Sequence, residues 1–175
     1  MKVYNNKGYR IVKQALRNML FTIKKGNHRS TWLPKFTCKN EVVGKVTFLG
    51  DFSYEILNQE DTNKVVGISD GWHHHKDSIR LGWRWNLKTE ELEIMVISYV
   101  NGQRTIKKLT VAETDREYDF SIRIEKDYYF VYFNYNSLLI PRKSKWNCLR
   151  YYLFPFFGGK ETASKNFQIN LDIEK

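Results

Sequence analysis

Three consecutive histidines, His73, His74 and His75, are the densest group of metal-ligand side chains in the chain, and they lie between Asp70 and Asp77. In an extended segment His73 and His75 project to one side and His74 to the other, so two imidazoles at most share an ion and a carboxylate has to complete the set. The spacing matches no recurring metal motif. Local hydrogen bonding, or contact with a ligand, accounts for such a loop more simply, and no metal or cofactor is expected.

Just beyond the histidines, Ser78, Arg80, Gly82 and Arg84 alternate with Ile79, Leu81, Trp83 and Trp85, the period of two of a half-buried strand. Two readings of its polar face stay open. Cross-strand ion pairs among Arg80, Arg84, Glu93, Glu117, Asp119 and Arg123 would make it a solvated sheet surface. Alternatively the arginines floor a groove: guanidinium forks recognise carboxylates and hydroxyls, and the rings of Tyr99, Tyr129 and Trp72 can stack on sugars. On that reading the ligand-binding residues are Trp72, His73, His75, Arg80, Arg84, Tyr99 and Arg123. There is no Glu-x-Asp-x-x-Glu pair of glucanase type, no Gly-x-Ser-x-Gly elbow and no phosphate-binding glycine loop. The balance therefore favours a non-catalytic binding module over an enzyme.

The elements that would position these residues are strands. From residue 78 to 136 the alternation predicts five consecutive strands, joined as an antiparallel meander by short polar breaks at 88–90 and 126–127. Asn101-Gly102 supplies the positive φ angles of a two-residue type I′ turn, which sets Val100 opposite Gln103, Tyr99 opposite Arg104 and Ile97 opposite Ile106. Further strands are expected at 42–48, 52–57, 64–69, 137–140 and 148–154. A last one has Phe167, Ile169, Leu171 and Ile173 on one face. About ten short strands without intervening helices indicate an all-β, antiparallel two-sheet sandwich.

Charge divides the chain differently. Residues 1–40 hold ten Lys or Arg and no Asp or Glu, so the whole net charge of +10 falls there and the remainder is formally neutral. Within that stretch Ile11, Val12, Ala15, Leu16, Met19, Leu20 and Ile23 recur at spacings of three and four, which predicts an amphipathic basic helix over residues 8–25. The expected organisation is a helical arm at 1–34 and a sandwich at 35–175, with Leu33-Pro34 at the junction. Packing against the sandwich would explain the helix, but Arg10, Lys13, Arg17 and Lys24 could also dock onto an acidic protein surface, a membrane surface or nucleic acid. A structural accessory subunit of a virion or other large assembly is the alternative this arm suggests. No membrane-spanning run and no cleavable secretion signal are evident, which points to a cytoplasmic or assembly-associated protein. Cys38 and Cys148 can bridge only if the fold brings them together, and without a signal peptide a reduced pair is the simpler expectation.

With the many-stranded pattern, the loop Leu153-Phe154-Pro155-Phe156-Phe157-Gly158-Gly159 leading into the last strand resembles that of concanavalin-like jelly rolls, among them bacterial carbohydrate-binding modules and alginate-type polysaccharide lyases. The resemblance covers residues 36–175 and implies a jelly-roll sandwich that binds a glycan. Tyr129-Phe130 with Tyr135-Asn136 is similar to the two ends of the lyases' Tyr-Phe-Lys-Ala-Gly-Val-Tyr-Asn-Gln strand, which would make Tyr135 the proton donor if the chain were a lyase. Val131, Phe133 and Ser137 depart from that motif, and its Gln-Ile-His and Arg-Thr/Ser-Glu-Leu companions have no counterpart.

Overall fold

The computed structural model describes residues 17–30, 35–145 and 148–174. Its twelve strands, numbered in chain order, form two six-stranded sheets. In spatial order the back sheet is β1 (Arg17–Ile23), β12 (Phe167–Ile173), β3 (Glu41–Leu49), β8 (Glu117–Ile124), β9 (Tyr128–Phe133) and β10 (Asn136–Pro141). The front sheet is β2 (Lys35–Thr37), β11 (Arg150–Leu153), β4 (Asn63–Ser69), β5 (Ser78–Asn86), β6 (Glu91–Val100) and β7 (Gln103–Ala112). Every pairing between neighbours is antiparallel.

The alternation seen in the sequence places the core. Val42, Val46 and Phe48 of β3, Tyr118, Phe120, Ile122 and Ile124 of β8, and Phe167, Ile169, Leu171 and Ile173 of β12 all face inward from the back sheet. Ile79, Leu81 and Trp83 of β5 meet them from the front. Trp83 is the hinge of this packing, with Phe52 and Phe167 both 4.9 Å from its ring and Tyr54 and Phe157 packed around it. Its burial is complete, and truncation to alanine would remove about 3–5 kcal/mol.

The Asn101-Gly102 turn has the expected left-handed pair of φ angles, 51° and 82°, and β6 and β7 pair in the anticipated register. Three expectations need correction. The predicted helix is absent among the described residues. Arg17–Ile23 is the edge strand β1 along β12, while residues 8–16 lie outside those described. Phe21 and Ile23 are buried and Leu20 is exposed, so a strand's period of two explains the end of that stretch better than the helical spacing did. The sandwich thus takes in residues that were expected to belong to an arm.

Residues 52–57 form a loop and not a strand. Asp51 accepts the Ser53 amide in a tight local turn, and the Gln59 side chain ties down Ile56, Tyr54 and Trp85, so Phe52 and Tyr54 enter the core without ladder bonds. Finally, the five strands of residues 78–133 are not one meander. The chain crosses from the front sheet to the back between β7 and β8, closing the sandwich.

Candidate functional site

The outward face of the front sheet is not flat. β5 and its neighbours present Gly67, Arg80, Ile97 and Tyr99 there, as the register requires. The loops 70–77 and 153–159 rise on either side of them to enclose a cleft of about 660 Å³. One wall is aromatic. Phe36 stacks on Trp72 with centroids 6.0 Å apart and meets Tyr151 edge-on, and Trp72 is 55% exposed. The opposite wall is the Phe154–Gly159 stretch, where Phe156 carries Lys64 at 5.3 Å and Arg29 at 5.9 Å over its ring.

Each wall is tied down. Lys64 and Phe156 exchange backbone hydrogen bonds of 2.8 and 3.0 Å, and the Gly158 amide donates to the Asn63 side chain. The histidine loop closes on itself through the Asp70 amide to the Asp77 carbonyl, 2.9 Å, and leans on the Asn101-Gly102 turn through Asp77 and Lys76. At its base, the fully buried Asp70 carboxylate accepts the Tyr129 hydroxyl at 2.8 Å and Arg142 Nε at 2.6 Å, and pairs with Arg150. Tyr129 belongs to the back sheet, so this ion cluster pins the loop to both layers. It also takes Tyr129 out of any sugar-stacking role.

Four cations line the cleft, Arg29, Lys64, Arg80 and Arg104, and its described lining contains no carboxylate. Arg104 reaches Asp61 at 3.4 Å. Among the described residues Arg80 meets no acid within ion-pairing distance: its ring neighbour is Tyr99 at 5.5 Å, its one hydrogen bond there is a long 3.5 Å contact to the His74 carbonyl, and its buried Nε finds no partner among them. Burial, with further lowering from Arg104, brings Arg80 down to about 10. Lys64 is brought down to about 8, first by burial and then by Arg104 and Arg80. Crowded, desolvated cations of this kind are stabilised by an arriving anion.

His74 donates or accepts at 2.6 Å from the Tyr151 hydroxyl, and burial, then the nearby Arg80, depresses it to about 4. It is therefore neutral at neutral pH. His75 packs edge-on against Tyr99 and is also lowered, chiefly by burial.

Of the residues anticipated from sequence, Trp72, His75, Arg80 and Tyr99 converge on this cleft. His73 stays exposed in the loop and does not line it. Arg84, farther along β5, is engaged by Glu93 at 2.7 Å and by Glu60, in a network with Lys108 and Asn86. Arg123 lies on the back sheet over Phe130, 4.6 Å from its centroid. Tyr135 is 90% exposed at the β9–β10 turn with φ of 69°, in the other sheet from the cleft, so it cannot be the proton donor of a site here. Among the docking residues, Arg10 and Lys13 lie outside those described, Arg17 opens β1, and Lys24 is exposed just beyond that strand.

Sequence reasoning missed Arg29, Lys64, Arg104, Tyr151 and Phe156. The register predicted from Asn101-Gly102 did put Arg104 beside Tyr99. The others arrive through loops and non-consecutive pairings with no local signature. Among the described residues no three His, Cys, Asp or Glu side chains could hold a metal ion, and no helix is long and apolar enough to cross a membrane.

The sequence matches no protein-family model and no curated protein significantly. Its structure, however, is similar to that of the alginate lyase AlyC3, with a TM-score of 0.62 and 11% identity over 90% of this chain and 74% of that one. The same lyase in complex with dimannuronate superposes at a TM-score of 0.58, with 10% identity over 94% and 78%. A non-specific endo-beta-1,3(4)-glucanase gives 0.55, with 10% identity over 89% and 69%. At such identities the likeness shows the fold alone, an antiparallel two-sheet jelly-roll sandwich.

Proposed function

We propose that the chain binds an acidic polysaccharide in the cleft on the outer face of its front sheet. The observation that carries this reading is Arg80, a buried guanidinium with no carboxylate partner among the described residues, set among Arg29, Lys64 and Arg104 in a cleft whose described lining has no acid. A buried charge left without a counter-ion is costly, and a ligand carboxylate or sulfate held by its fork would offset that cost. The stacked Phe36 and Trp72 add flat apolar faces of the kind that hold pyranose rings. One similar structure, a lyase, holds dimannuronate, an acidic disaccharide, which agrees with this chemistry. Titration with an oligouronate should give saturable binding that Arg80→Ala weakens by at least about tenfold with the fold intact, since charge-assisted bonds contribute about 1.5–3 kcal/mol each. Undiminished binding by that variant would remove the reading.

A second reading, elimination at a uronate, is favoured by one contact. The Tyr151 hydroxyl lies against neutral His74 and next to Arg80, which could neutralise the carboxylate beside the proton to be removed. The cleft therefore nominates Tyr151 where sequence comparison had nominated Tyr135. Release of unsaturated, ultraviolet-absorbing products that Tyr151→Phe abolishes would make the protein a lyase; binding without such products makes it a module. No observation among the described residues favours the assembly-subunit or nucleic-acid readings.

A further inference from the structure

Away from the floor of the cleft, the two cysteines meet. Cys38 directly follows β2 and Cys148 stands two residues before β11, and the pairing of Thr37 with Arg150 brings them to the same end of the ladder. Their sulfur atoms are 2.6 Å apart although 110 residues separate them in sequence, and both side chains are exposed. We propose that Cys38 and Cys148 are a redox pair whose disulfide staples β2 to β11 and thereby fixes the aromatic wall of the cleft.

β2 has only three residues and is an edge strand whose single sheet neighbour among the described residues is β11. Short edge strands with few ladder bonds are the first to open. Yet Phe36, at its centre, is the ring that touches both Trp72 and Tyr151. A covalent link one residue beyond the ladder limits how far Phe36 can swing out.

Exposure gives a small disulfide such as oxidised glutathione direct access. The Cys38 thiol is lowered, first by its hydrogen bond with Cys148 and then by the Leu149 amide, whereas Cys148 is raised by the same contact, which makes Cys38 the attacking group. Its thiolate attacks one sulfur of oxidised glutathione and expels the other as a thiolate. The Cys148 thiolate then attacks Cys38 Sγ and expels the second glutathione. The cysteines lose two electrons to glutathione, and their two protons end on the two glutathione thiols.

The test equilibrates the full chain with glutathione of graded oxidation, then denatures it, alkylates free thiols and weighs the protein. Both alkylation sites should vanish together with the mass of one hydrogen molecule. Cys148→Ser should accumulate a glutathione adduct on Cys38, more readily than Cys38→Ser does on Cys148. Amide exchange at residues 35–37 should slow by roughly tenfold on oxidation. Thiols that stay alkylatable in oxidising glutathione, bridges between two molecules, or exchange at residues 35–37 that oxidation leaves unchanged would each overturn the proposal. None of these readouts uses a glycan, so they stand or fall separately from the ligand assigned to the cleft.

Discussion

Arg80 and Lys64 illustrate how position alters a familiar side chain. Both are ordinary sheet residues by sequence, yet burial and neighbouring guanidinium charge, that of Arg104 on both and that of Arg80 on Lys64, leave them poorer cations than in water. Lys64 gives this a measurable consequence. Its ammonium is brought down to about 8, and an anion beside it favours the charged form, so ligand binding should raise that value and take up protons near pH 8. Affinity for an acidic oligosaccharide should thus be full below about pH 8 and fall as pH rises beyond it, by up to about tenfold per pH unit. Calorimetry in two buffers of different ionisation heat measures the proton uptake directly. A flat profile between neutral pH and pH 9 would mean that Lys64 does not face the ligand's charge.

Among the elements, β4 and β5 do the positioning. At Gly67 they pass too closely for a side chain: a Cβ at that site would lie 2.6 Å from the Ile79 carbonyl oxygen and 2.7 Å from Arg80 Cγ. Gly67→Ala should therefore cost about 1–3 kcal/mol in denaturant unfolding and also weaken ligand binding, because the arginine that lies across the glycine has to move. Wild-type affinity in that variant would separate Arg80 from the ligand. Farther along β5, the Arg84–Glu93 network is predicted to hold strands together without touching function. Against the burial that would raise it, hydrogen bonds from Asn86, Lys108 and Arg84 hold the Glu93 carboxyl at about 2. Its folded value lies below the unfolded one of about 4.3, so its contribution is present above that pH and lost as pH falls toward 2. Glu93→Gln should lower stability by about 1–3 kcal/mol at pH 7, with the difference from wild type shrinking in acid, and should leave binding unchanged.

At the scale of the molecule, two sheets share one aromatic core, and the Asp70 cluster ties the loop that carries Trp72 and His75 to both layers. The fold class was legible because alternation in β5, β8 and β12 is a local property, and Asn101-Gly102 set one register outright. β1 was not, because Met19 and Ile23 satisfy helical and extended spacing alike over so short a run, and the pairing with β12 that decides between them spans most of the chain. The site was half legible for a related reason. Arg80 and Tyr99 sit on the meander that could be read, whereas Arg29, Lys64 and Tyr151 reach the cleft through distant pairings. What this arrangement asserts as a whole is recognition of negative charge by a built cleft and not by net basicity. The decisive measurement compares an oligouronate with its carboxyl-reduced, neutral counterpart at near-physiological salt, where long-range attraction is screened. The account predicts that the acidic chain binds at least about tenfold more tightly and that Arg80→Ala erases the difference. Equal affinity for the two chains, or a preference that survives loss of Arg80, would contradict it.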